Sequence, residues 1–149
     1  GDAGQAMAVM AWTVPGMPLI YSGQEAGMDK RLEFFEKDTI IWGDVIYKDF
    51  YTTLNGLKKS NKALLTGKEG GMMLQLSEGQ NEDVFAFKRE KDGDKIVVII
   101  NLSKEAHKFS INANEVNGEY KELFTGELMV LTDGTQFDLK PWEYLVFVK

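Results

Sequence analysis

The sequence has no cysteine, one histidine and three prolines in 149 residues. The lack of cysteine rules out a disulfide framework and thiolate metal sites, though it names no compartment. A lone histidine, His107, has no histidine partner for a metal centre and no neighbouring triad pattern. No apolar run approaches the roughly 20 residues that span a bilayer. Basic runs are missing too: 17 Lys and Arg stand against 23 Asp and Glu, a net charge of −6 spread along the chain. That balance argues against nucleic acid and membrane as partners. The opening Gly-Asp-Ala-Gly has neither an initiator Met nor a cationic leader, as expected for the inside of a longer chain.

What is present divides into two kinds of pattern. In the first, Ala3, Ala6, Met7, Met10, Ala11 and Val14 fall at helical spacings up to the stop at Pro15–Gly16. "MPLIY", Met17 to Tyr21, predicts a buried strand ending in the polar tip Ser22-Gly-Gln-Glu. Asp29 to Asp44 has no period and predicts a long loop. Tyr47, Phe50, Tyr51, Leu54, Leu57, Asn61 and Leu64 then mark one face of a second helix, with Lys58, Lys59 and Lys62 near its carboxyl end. Gly67 and Gly70–Gly71 close it and set a boundary between segments 1–67 and 72–149.

Beyond Met72 the period changes to that of strands. "VFAFKRE" alternates and predicts one wet face, while Ile96 to Ile100 has no polar interruption and predicts a central strand. Asp92–Gly93 between them signals a hairpin, and Asn117–Gly118 and Asp133–Gly134 are further turns. "HKFSI", "GEYKELFTG", "TQFDLK" and "WEYLVFVK" are the further predicted strands, and short strands at such regular spacing predict an antiparallel β-sandwich. The first segment cannot stand alone, because its single strand has no parallel neighbour and its helices no sheet to cover.

"AVMAWTVPGMPLIYSGQEAGM", with Gly16, Pro18, Ile20, Tyr21, Gly23 and Glu25 in a Gly-x-Pro-x-Ile-Tyr-x-Gly-x-Glu pattern, resembles the α-amylase family of glycoside hydrolases (family 13). There it matches the seventh helix, turn and eighth strand of a (β/α)8 TIM barrel. "DKRLEFFEKDTIIW" is similar to the loop that follows in many bacterial members, save that Ile41 replaces an acidic residue before Trp42. "FYTTLNGLKKSNKALLTG" resembles the eighth helix, and "VFAFKREKDGDKIVVIINLS" the first hairpin of the trailing sandwich. The implied fold is mixed: the end of a barrel over 1–67 followed by an all-β antiparallel sandwich over 72–149.

The resemblance implies a retaining Asp/Glu mechanism on α-glucans. Such chemistry needs two carboxyl groups about 5–5.5 Å apart. In the family these follow the fourth and fifth strands, and an Asn-His-Asp motif follows the seventh. None of these lies in this sequence, so no residue here is assigned as catalytic and the chain alone is expected to be inert. Tyr21, Gln24 and Glu25 are the candidate active-site rim, at the carboxyl end of a barrel strand. The competing reading gives Glu25 a purely local task, tying its loop through backbone N–H groups.

Asp29, Glu33, Glu36 and Asp38 match no calcium-loop spacing, so no metal or cofactor site is assigned, although the resemblance allows calcium in a parent enzyme. Phe34, Phe35 and Trp42 are expected to pack their loop onto the barrel rather than stack on sugar, and Trp142 and Tyr144 to lie in core or inter-domain packing. Expected partners are the rest of the barrel and an α-glucan. Exposed barrel faces would make the isolated chain self-associate. The alternative reading of the sandwich is a starch-binding module, recognisable by two or more exposed rings on one face. The Ser22-Gly-Gln-Glu tip, where oligo-1,6-glucosidase-like members often have Gln-Gly-Glu-Glu, favours α-amylase-type activity.

Overall fold

A computed structural model describes all 149 residues, Gly1–Lys149. Two helices, α1 (Asp2–Thr13) and α2 (Lys48–Ser60), precede eight strands. These are β1 (Met73–Gln75), β2 (Val84–Lys91), β3 (Asp94–Asn101), β4 (His107–Ser110), β5 (Gly118–Glu122), β6 (Leu128–Leu131), β7 (Gln136–Leu139) and β8 (Tyr144–Val148). Six of them form one antiparallel sheet in the order β1-β2-β3-β8-β5-β6, and β4 pairs with β7 in a second sheet.

The β2–β3 hairpin is built as its sequence dictates. Lys91 pairs with Asp94, leaving Asp92 and Gly93 as a two-residue loop at φ 49° and 93°. Both central residues at positive φ give the turn whose twist suits a hairpin. From there β3 runs between β2 and β8, with Val98 opposite Phe87 on one side and Val146 on the other.

At its centre the large sheet is dry on both faces. Ile96, Val98 and Ile100 join Phe87 and Val146 against Ala6, Val9, Trp12, Tyr51, Leu54, Leu57 and Leu64 of the helical layer. Val97 and Ile99 point the other way, meeting Phe109, Ile111, Tyr120, Phe137, Leu139 and Phe147 in the space between the two sheets. Helices, large sheet and small sheet therefore make three layers. The wet face expected for β2 is confined to its far end, where Lys88 and Glu90 pair at the surface, while Ala86 faces the sandwich core and Phe85 and Phe87 face the helices.

Other expectations are corrected too. Met17–Tyr21 is not a strand in this structure, nor is it buried. It pairs with nothing, and Met17 and Leu19 are 82% and 78% exposed. An extended segment becomes a strand only when a neighbour takes its N–H and C=O groups, and the chain supplies none. Only Ile20 turns inward, onto the helix–sheet cluster. The second helix stops at Ser60, short of Leu64, because Asn61 turns extended and its side chain accepts the Ala63 N–H. Asparagine competes with the helix in this way by offering the backbone a local partner. A 3₁₀ turn, Lys62–Leu64, follows. Strands β1 and β6 lie at the two edges of the large sheet, outside the predicted set.

Truncating β3 tests the shared core. Ile100→Ala, at a fully buried position on the helix side, is expected to lower stability by about 2–5 kcal/mol. The urea midpoint should fall with the slope unchanged, and a shift within the noise of a surface substitution would refute the two-sided packing.

Candidate functional site

The segment carrying Tyr21, Gln24 and Glu25 leaves α1 through Pro15–Gly16 and returns through a compact turn. Gly23 N–H and carbonyl geometry allow a tight bend: its φ is +91°, and a Cβ there would lie 2.8 Å from Met28 Cε. The Gln24 N–H donates to Tyr21 O at 3.0 Å, and the Met28 N–H to Gly23 O at 3.0 Å. Gln24 also closes the turn with its side chain, Oε1 accepting the Tyr21 N–H at 2.6 Å. The Tyr21 side chain is exposed.

Glu25 is held by its backbone and not by its carboxylate. Its carbonyl accepts the Tyr47 N–H at 3.1 Å, which ties the turn to the start of α2. Its Oε2 is shielded from solvent and receives no hydrogen bond. The local loop-tying task therefore falls to Gln24 and to main chain. Burial first, and the negative Glu25 second, push the Tyr51 phenol above its ordinary pKa. Next to this turn is a cavity of about 400 Å³, lined by Gly1, Gln5, Gln24, Asp29, Tyr47 and Tyr51.

The loop that follows is organised by Asp38. Its Oδ1 accepts Lys30 Nζ at 2.6 Å and the Thr39 N–H at 2.7 Å, and its Oδ2 accepts the Glu33 N–H at 3.0 Å. Lys30 chiefly, then the Glu33 and Thr39 amides, hold the carboxyl at about 2 against an ordinary 3.8. The loop closed in this way carries Phe34 and Phe35 edge to face, their centroids 4.8 Å apart and the rings 83% and 92% exposed. Trp42 is half-exposed beyond them. The packing expected of these rings is onto the barrel, and within this chain they stand exposed. No three His, Cys, Asp or Glu side chains converge on a metal-sized site.

In the sandwich no aromatic ring is exposed. Phe87, Phe109, Tyr120, Phe137 and Phe147 are buried, and Trp142 and Tyr144 pack onto the helix–sheet cluster. Tyr144 stands 6.0 Å from Phe50 and 5.3 Å from Phe124, between α2 and the sheet. The feature that would mark a sugar-stacking face is missing there.

Residues 74–146 match the family described as the maltogenic amylase C-terminal domain. This stretch is an α-amylase-family carboxyl-terminal domain. The chain is 32% identical over 142 residues to a cyclomaltodextrinase of Thermoanaerobacter pseudethanolicus, covering 89% of its own length and 23% of that protein. To the α-amylase MalA of Haloarcula japonica it is 27% identical over 128 residues, covering 80% of this chain and 19% of the relative. The chain thus spans about a fifth of the curated relatives it matches. Among solved structures, the maltogenic α-amylase AmyB of Thermotoga neapolitana superposes with a TM-score of 0.77 at 16% identity, over 99% of this chain and 36% of that one. The γ-CGTase of an alkalophilic Bacillus clarkii does so with a TM-score of 0.75 at 20% identity, over 100% and 23%. At these identities the likeness speaks for the fold.

Within the maltogenic-amylase domain, His107 has partners that sequence spacing does not reveal. The Asp83 N–H donates to Asn81 Oδ1 at 2.8 Å, which turns the Asn81 amide so that Nδ2 donates to His107 Nδ1 at 2.7 Å. The proton then sits on Nε2, which faces Ser103 Oγ at 2.9 Å and Asp83 Oδ2 at 3.1 Å. Serine and aspartate meet the same ring nitrogen, whereas an acyl-transfer triad needs them on opposite ones. The cluster fastens β4 to two loops and has no nucleophile geometry. Its partners come from loops that fold together only in three dimensions, so no linear pattern announces it.

Asp38 gives the clearest pH signature. Because its folded pKa is lowered, the support it gives the loop is complete above its ordinary 3.8 and is lost as pH falls through about 2. Carboxyl ¹³C shifts should show Asp38 titrating near the lower value in the wild type and moving up toward the ordinary value in Lys30→Met. Equal midpoints in the two proteins would remove Lys30 as the cause.

Proposed function

We propose that this chain is the carboxyl-terminal part of an α-amylase-type glycoside hydrolase acting on α-glucans, and that it is inert by itself. The observation that carries the reading is the family match over residues 74–146. Residues 1–67 are then the last strand and helices of a (β/α)8 barrel, and residues 72–149 the sandwich that braces them. The exposed, unpaired Met17–Tyr21 segment supports this, since an apolar stretch of that kind is what a neighbouring barrel strand would cover.

In this reading Tyr21, Gln24 and Glu25 stand at the rim of the active site, on the face where barrel enzymes build their chemistry. The two catalytic carboxylates of a retaining glycosidase belong to the part of the barrel outside these residues. The carboxylates present here do not form a calcium site by convergence. The starch-binding alternative for the sandwich finds no exposed ring to support it. Rings do stand free on the loop at Phe34, Phe35 and Trp42, beside exposed Ile41 and Ile46. These are the natural contacts for the rest of the barrel.

Two measurements test the reading. Hydrolysis of soluble starch and malto-oligosaccharides is expected from a longer protein carrying this chain and not from the 149 residues alone at equal molarity. Turnover by the short chain would refute it. Sedimentation velocity of the short chain should show species heavier than the monomer, through the exposed faces of residues 17–46. A monomer that persists at high concentration would contradict the assignment of those faces.

A further inference from the structure

Two cations of this chain are spent on backbone carbonyls and form no ion pair. Arg89, on β2, is 1% exposed. Its Nη1 donates to Thr13 O at 2.9 Å, its Nε to Gly71 O at 2.9 Å, and its Nη2 to Leu65 O at 3.4 Å. Lys58, on α2, donates from Nζ to Gly16 O at 2.8 Å. Burial chiefly, and the charge of Arg89 second, lower the Lys58 pKa, so the two cations lie close enough to repel. Withdrawing a guanidinium from water without a carboxylate is costly. What the arrangement returns is geometry, since the planar fork of arginine fixes several acceptors at once.

The acceptors share a location. Thr13 is the last residue of α1, where carbonyls lack a donor within the helix. Gly16 closes the turn that follows. Arg89 and Lys58 therefore grip the two ends of the Thr13–Gly16 turn. Beyond it, Met17 to Ile20 make no backbone hydrogen bond at all, Ile20 alone packs onto the helix–sheet cluster, and the next hydrogen bond to another element is Tyr47 N–H on Glu25 O. Leu65 and Gly71, the other acceptors of Arg89, bracket the linker between α2 and the sheet, where Gly70 approaches so closely that a Cβ would lie 1.9 Å from Leu65 O.

We infer that Arg89 and Lys58 are positioning residues: a two-cation clamp on the Thr13–Gly16 turn through which the sandwich and α2 set the course of the segment bearing Tyr21, Gln24 and Glu25. The inference deepens the rim reading above and rests on it for its catalytic consequence. It gives the sandwich a role toward the proposed α-glucan site.

The test uses ¹⁵N relaxation on the 149-residue chain with Lys58→Met, Arg89→Met and Arg89→Lys. Order parameters at Val14, Gly16 and Met17 are expected to fall from about 0.85 to below about 0.6 in the two methionine variants, with β3 unchanged, and to recover in part in Arg89→Lys. Lys58→Met decides the matter if Arg89→Met fails to fold, because Lys58 is outside the sheet. Unchanged order at those amides, or an equal loss in β3, would overturn the clamp. In a longer protein carrying the chain, Lys58→Met should lower turnover of soluble starch about tenfold with KM within about twofold. Unchanged turnover with a loosened turn would overturn the positioning role. A wild-type protein without glucan hydrolysis would instead sink the enzyme reading and leave the relaxation result to judge the clamp.

Discussion

Strand β3 has no side that meets water, and everything else is arranged around that constraint. Alternate residues of a strand point to opposite faces, so Ile96, Val98 and Ile100 require one cover and Val97 and Ile99 another. The two-stranded β4–β7 sheet supplies one and the helices supply the other. Removing either would expose a row of β-branched side chains in the middle of the sheet, each worth about 1.5–3 kcal/mol when fully buried. The helical segment and the sandwich differ in class, yet they share this cluster of side chains. The Trp12 indole, donating to Asn55 Oδ1 at 2.9 Å, further locks the two helices in the layer that covers it.

Much of this was legible in the sequence because it depends on short-range chemistry. Asp92–Gly93 announced its hairpin, and the unbroken apolar run of β3 announced a strand covered twice. The family pattern around Gly16 to Glu25 pointed to the same relatives that the comparisons found. Features that depend on distant partners were hidden. Arg89 stands in "FKRE" as if on a solvated strand end, and only the arrival of α1 and the linker makes its position internal. Met17–Tyr21 is unpaired here for the complementary reason: its composition is that of a buried strand, but none of these residues supplies the neighbouring strand that would complete its ladder. Edge strand β6 escaped because "LMVL" is apolar without alternation, with Leu128 and Val130 left exposed.

Two shielded carboxylates show how differently the chain treats the same group. Glu122 accepts three backbone N–H groups, from Phe124, Thr125 and Val146, and is consumed in holding β5 to β8. Glu25 receives none on Oε2. A withdrawn carboxylate fully supplied with main-chain donors is an element of architecture. One left without donors costs about 1–3 kcal/mol or more. Within the proposed enzyme, that contrast separates a carboxylate settled in the sandwich from one at the rim that is not, although the Tyr120 hydroxyl in the sandwich also lacks a partner.

The packing of α1 on the sheet also imposes an order of events on the ribosome. Thr13 waits for Arg89, which lies 76 residues further along the chain. At ordinary synthesis rates that is a delay of roughly 4 to 15 seconds. During it the apolar side of α1, with Val9 and Trp12, has no sheet to lie on. The helix made early is thus seated late, and a chaperone or another part of the nascent protein has that interval in which to shelter it.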